Sequence, residues 1–133
     1  MDELLHKELS NDIIKCFYLV YNTLGFGFLE KVYENALMIE PAQNNLYAEK
    51  QKPIKVHYES YLVGEYFADI IVENKIIIEL KAAECIAEEH ELQLINYLKA
   101  TNIEVGLLLN FGKKPAFKRK IFTNDRKQLE QLP

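Results

Sequence analysis

The sequence predicts an α/β fold of the α+β kind: a mixed sheet in which an antiparallel three-strand meander gains a further strand through a crossover helix, flanked by helices. Three observations predict it. Apolar residues recur at helical spacing through the first forty positions, alternate with polar ones from Ile54 onward, and then form the near-continuous run VGLLL after another helical segment. At 133 residues the chain suits one domain, 1–133.

The first helix is expected at about 3–24, where Ile13, Phe17, Val20 and Leu24 fall at i, i+4, i+7 and i+11 and Ile14 and Tyr21 widen the stripe. Gly25-Phe26-Gly27 ends it. A second, at about 28–40, carries Leu29, Val32, Ala36 and Leu37 on its apolar side and is expected to stop at Pro41. Glu30 and Tyr33 share a face there, and a first-turn Glu30 also answers the helix dipole.

After a polar connection at 43–45, Ile54, Val56 and Tyr58 alternate with Lys55, His57 and Glu59, which predicts a strand over 54–59. Pro53 favours its start or an edge position. A turn near Ser60 leads to a strand over 62–72, and a reversal at Glu73-Asn74 leads to another over 75–81. A helix over 87–100 places Leu92, Ile95 and Leu98 inward, and His90, Gln93 and Tyr97 together on one face. The apolar strand over 104–110 is then expected to lie parallel beside the strand at 75–81. A short edge strand over 118–122 and a loose helical tail complete the chain.

Composition narrows the function classes. With 49% hydrophobic and 27% charged residues the chain reads as ordinary globular protein. No apolar run approaches the length of a membrane span, and MDELLHKEL is charged rather than signal-like, so no membrane and a cytoplasmic location are expected. Cys16 and Cys85 form no Cys-x-x-Cys pair, which predicts two reduced, mostly buried thiols rather than zinc or a disulfide framework. The net charge of −4 is uneven: from Phe111 onward the chain carries +5 and the remainder −9. That basic segment could meet phosphates or serve only as a solvated face.

Charge is oddly placed in GEYFADIIVENKIIIELKA, residues 64–82. Asp69, Glu79 and Lys81 interrupt strands built of Ile, Val and Phe, where an unpaired charge costs several kcal/mol. Glu79 and Lys81 share a face by strand parity, and Asp69 joins them only if residue 69 lies opposite 79. That register pairs 72 with 76 across a three-residue loop, Glu73-Asn74-Lys75. Two carboxylates with a lysine suit a hard divalent cation and a positioned water. On spacing alone a structural ion pair is the simpler account.

Taken together, the motifs resemble the PD-(D/E)XK nuclease superfamily. LGFGFLEKVYENAL holds Gly27-x-x-Glu30-x-x-Tyr33; with QKPIKVHYES, GEYFADIIVENKIIIELKA, HELQLINYLKA and VGLLLNFG it is similar to the small GxxExxY family, from about Leu9 to Ile121. The resemblance implies a restriction-endonuclease-like core and a magnesium- or manganese-dependent nuclease acting on nucleic acid, DNA ahead of RNA. The alternative is a catalytically silent nucleic-acid-binding or regulatory module on the same fold, and the protein could form a homodimer or larger assembly. It makes Asp69, Glu79 and Glu30 the metal ligands and Lys81 the residue that positions the attacking water. It makes Gln93 and Tyr97 a Gln-x-x-x-Tyr pair that buttresses the site. Ala68 stands where many members have proline, and Glu40-Pro41 where the family's helix continues with leucine, implying a shortened second helix.

Overall fold

The computed structural model describes residues 5–127. Helix α1 (Lys7–Leu24) and helix α2 (Glu30–Gln43) are followed by β1 (Ala48–Tyr58), β2 (Tyr61–Val72), β3 (Ile76–Lys81), helix α3 (Glu88–Lys99), β4 (Val105–Phe111) and β5 (Pro115–Ile121). A single turn of 3-10 helix covers Asn124–Arg126. The strands form one sheet in chain order, antiparallel throughout except for β3 and β4, which run parallel. The crossover through α3 and the meander before it are those the sequence predicts.

Two apolar layers cover the sheet. Ile13, Phe17 and Val20 of α1 and Tyr33 and Leu37 of α2 pack on Ile70, Ile78, Leu107 and their neighbours. Leu94, Tyr97 and Leu98 of α3 pack on Ile54, Ile71, Ile77 and Leu108 on the opposite face. Buried on both sides, β4 has no polar alternation at all, which is why its sequence reads as one apolar run.

The element ends differ from expectation for local reasons. The expected helix start at 3 lies outside the described residues; α1 begins after His6, at φ 53°, and ends where Gly25, at φ 69°, returns its N–H to Tyr21. Helix α2 starts at Glu30 rather than 28 because the Phe28 N–H is taken by the Tyr33 hydroxyl and Leu29 is extended. It does not stop at Pro41. Proline lacks the N–H of its own position, but in the last turn its carbonyl accepts from Asn44 and Leu46, and the ring is buried, so the helix reaches Gln43. The implied shortening of this helix is therefore corrected. Strand β1 begins six residues earlier than the alternation indicates, at Ala48, and as an edge strand it accommodates Pro53 in mid-strand. Cys16 is buried but Cys85, in the loop leaving β3, is exposed, so only one thiol matches its expectation.

Two packing details fix the exits of β3 and β4. Asn110, buried in β4, accepts the Ala83 N–H at 2.9 Å and donates to the Ala83 carbonyl at 3.0 Å, extending the sheet by one side chain. At Gly112 a Cβ would stand 2.2 Å from the Ala83 carbonyl oxygen, a backbone atom with little room to move. Gly112→Ala is expected to cost about 1–3 kcal/mol through this overlap, read as a lower midpoint in urea unfolding.

Candidate active site

The register of β2 on β3 places the acids together. Val72 pairs with Ile76, Ile71 with Ile77 and Ile70 with Ile78, across the loop Glu73-Asn74-Lys75. Glu73 and Asn74 both sit at φ 54°, and the Lys75 N–H bonds the Val72 carbonyl at 2.9 Å, closing a tight reversal. The next rung would set Asp69 opposite Glu79. There the ladder stops, and side chains replace it: Glu79 Oε2 accepts the Asp69 N–H at 3.0 Å, and Asp69 Oδ2 accepts the Leu80 N–H at 2.8 Å. Each acid is thus anchored by one oxygen to the other's strand.

The strands part at this point. Ala68 and Ile71 line the α3 face whereas Ile70 and Val72 line the other, so strict alternation fails at Asp69. On β1, Lys50 pairs with Ile70 and Lys52 with Ala68, leaving Gln51 beside Asp69 with a left-handed φ of 53°. Irregular strand geometry of this kind re-aims side chains beside functional sites. Here it lets groups from both faces of the sheet approach the same two carboxylates.

From the α2 side come Glu30 and Glu34. Glu34 is buried, and its Oε2 accepts from Gln51 Nε2 at 2.6 Å; the same amide reaches Asp69 Oδ1 at 3.5 Å. Burial, then the charges of Glu34 and Glu30, raise the Asp69 pKa against the pull of the Leu80 N–H and Lys81. Glu79 is pushed further, to about 8, by burial first and by Asp69 second. From the α3 side, Tyr97 is buried with its ring 5.7 Å from Tyr66, and its hydroxyl is pushed up to about 12 by burial and by the charges of Glu79 and Asp69. At neutral pH its hydroxyl keeps its proton, close enough to both acids to feel their charge.

Lys81 ends β3, half-buried, and its charge favours ionisation of both Asp69 and Glu79. It forms no ion pair with either: among the described residues the ion pairs are Lys52–Glu49 and Lys120–Glu91. The structural ion pair that spacing alone allows is therefore not what holds these acids. Gln93 lies one turn before Tyr97 and makes no hydrogen bond among the described residues. Glu30 is exposed; its charge reaches both acids, yet no group of three or more acidic, His or Cys side chains among the described residues is arranged to hold a metal. His90 has a structural task, its Nδ1 accepting the Ala87 N–H at 3.1 Å at the start of α3.

A hard divalent cation fits the two carboxylates on the chemistry of the donors. Asp69 supplies anionic oxygen and Glu79 does so once a cation displaces its proton; each has one oxygen committed to a backbone N–H, and no neighbouring cation is in contact with either.

Two participants escape the sequence reading. Glu34 is signalled only by its i, i+4 relation to Glu30, which any solvated helix face could show. Gln51 carries no signal, because its left-handed backbone and its place opposite Asp69 arise from strand pairing alone.

The basic C-terminal segment divides. Lys120 pairs with Glu91 at 2.6 Å, Arg119 donates to the Leu5 carbonyl and to Ser10 Oγ, and Lys127 donates to the Thr101 and Ile103 carbonyls. These residues hold the fold. Lys113 and Lys114, in the turn after β4, stay exposed.

Comparison with known proteins agrees with this fold. A family model described as the PD-(D/E)XK nuclease superfamily matches residues 7–121. Among solved structures, that of SSO0001 superposes with a TM-score of 0.54 at 20% identity, covering 70% of this chain and 50% of that one. At that identity the likeness concerns the fold, and the chain spans half the length of SSO0001. A search of curated proteins finds no significant match.

Proposed function

Because this chain belongs to the PD-(D/E)XK nuclease superfamily, we propose that it is a divalent-metal-dependent phosphodiesterase acting on nucleic acid, DNA ahead of RNA, within the GxxExxY branch and in the cytoplasm. The observation that carries the reading is the reciprocal fork of half-buried Asp69 and buried Glu79, two carboxylates that interrupt a strand ladder without an ion-pair partner. In a fold this small such an arrangement is a cost to stability, and function is the reason to keep it.

Asp69 and Glu79 would hold magnesium or manganese, with exposed Glu30 reaching it directly or through water. The cation would stabilise charge on the attacked phosphate and acidify a water. Lys81, with an ammonium free of ion pairs, positions the water whose oxygen bonds to phosphorus as the P–O bond of the leaving strand breaks. Gln51 holds Glu34 and Asp69 against each other, so Asp69 keeps one orientation. Tyr97 donates toward the acids from α3, and Gln93 joins it at the substrate side.

Incubation of the full chain with single- and double-stranded DNA and RNA, with magnesium or manganese, tests this directly. Cleavage is expected with metal and is expected to vanish in Asp69→Ala. Equal products from wild type and the variant would refute it.

A second reading has its own motive: Glu30 does not complete a three-acid cluster, so the domain could bind nucleic acid without turnover. Calorimetric DNA affinity that ignores both chelator and Glu79→Ala would select it.

A further inference from the structure

The cleft beside the acids is lined, apart from Glu30, by groups that metal-dependent hydrolysis does not use. It has a volume of about 540 Å³, within the range of roughly 300–1,000 Å³ typical of small-ligand sites. One wall is the segment from Phe26 to Glu30, the other the chain leaving β3 at Ala82–Glu84, and the floor is Phe111 and Gly112 with Lys113 at the rim. It opens where Lys81 ends β3, and Glu30 belongs to both places. Glu30, whose charge reaches both acids, thus joins the cleft to the site.

The wall is apolar and turned outward. Phe26 is 56% exposed and Phe28 48% exposed on this wall, whereas Phe17 and Tyr33 are buried against Phe111. This exposure is built rather than loose. Gly25 and Gly27, at φ 69° and 112°, permit the bend, and the Tyr33 hydroxyl donates to the Gly25 carbonyl at 2.6 Å while accepting the Phe28 N–H at 3.2 Å. On the far side Tyr21 holds the Gly112 and Lys113 carbonyls at 2.8 and 2.7 Å, and Asn110 fixes Ala83. Neither wall has to reorganise to receive a ligand.

We propose that this cleft seats an unpaired nucleotide of the substrate strand, its base against Phe26 and Phe28 and its phosphate on Lys113, with Lys114 beside it. Of the basic segment, Arg119, Lys120 and Lys127 are engaged inside the fold, whereas Lys113 is exposed at the rim of this cleft, opposite Glu30 and Glu84, with exposed Lys114 next in the chain. A base can stack on an exposed ring only when its own neighbours in the strand leave a face open, so the substrate is single-stranded or frayed at its end. This deepens, and rests on, the phosphodiesterase reading.

The test uses the full chain with chelator present, so that cutting is off and binding alone is read. Anisotropy of a labelled single-stranded oligonucleotide and of the blunt duplex of the same sequence gives the two affinities, and a 2-aminopurine base reports stacking. Single strand is expected to bind about tenfold or more tighter than duplex, and Phe26→Ala/Phe28→Ala to lose about tenfold in that affinity together with the 2-aminopurine quenching. Lys113→Ala is expected to weaken binding and to reduce its salt slope. Because the rings are exposed, melting curves of these variants should match wild type. Duplex bound as tightly as single strand, no nucleic-acid binding, or affinity indifferent to both rings overturns the proposal; so does binding of a protein partner, rather than of the oligonucleotide, through the same rings. Asp69→Ala separates the two readings, since it removes cutting and is expected to leave ring-dependent stacking in place.

Discussion

Glu79→Gln is expected to remove metal-dependent cleavage, by roughly a hundredfold to a thousandfold or more, and to make the metal-free protein more stable at neutral pH. The two effects have one cause. Glu79 is 4% exposed and its pKa stands at about 8 because burial and Asp69 both oppose its charge. In the unfolded chain the same carboxyl titrates near its ordinary 4.5. Between those values the folded state holds a proton that the unfolded state has released, so stability falls as pH rises through this window and levels off above about 8. The loss at neutral pH is on the order of 3 kcal/mol. Below the ordinary carboxyl range both states are protonated and the penalty is absent. Melting temperatures measured with chelator from pH 5 to 8 should therefore decline in wild type and stay flatter in Glu79→Gln. Manganese should restore stability to wild type and not to the variant. A variant less stable than wild type throughout would make Glu79 a structural group and remove the case for a site.

This result would settle a question that spacing leaves open. Parity and loop length alone set Asp69 opposite Glu79, because a three-residue loop with Asn74 in the left-handed region fixes the register of the whole hairpin. Helical spacing likewise gives α1 and α3, and the unbroken VGLLL gives the parallel, doubly covered β4. What parity does not give is the break in alternation at Asp69. That depends on Gln51 across the strand, in a stretch, AEKQ, whose polar run hides the start of β1. The buried Glu34 is hidden for the same reason, since its hydrogen-bond partner among the described residues is Gln51. Local pattern reports which face a residue prefers; it does not report where two strands separate.

Tyr33 joins the fold to the site, and its replacement is expected to have the largest effect on stability. Its ring is 0% exposed and stacks on Phe111 at 4.1 Å and 16°. Tyr33→Ala leaves a cavity between α2 and β4 and should cost about 3–5 kcal/mol, a large share of the stability of a domain this size. Tyr33→Phe keeps the ring and deletes only the hydroxyl, leaving the Gly25 carbonyl and the Phe28 N–H without their partner, for about 1–2 kcal/mol. The two variants separate packing from positioning. In Tyr33→Phe the segment between α1 and α2 loses the bonds that hold Phe26 and Phe28 outward and that set Leu29 as the residue before α2, so Glu30 at the first turn loses its fixed approach to Asp69 and Glu79. Hydrogen exchange at the Phe28 amide should accelerate far more than exchange within β4, and cleavage should fall by more than the small change in melting temperature accounts for. Equal loss of protection in both places would make Tyr33 a packing residue only. A protected Phe28 amide with full activity would show that the segment is held by its glycines and the ring alone.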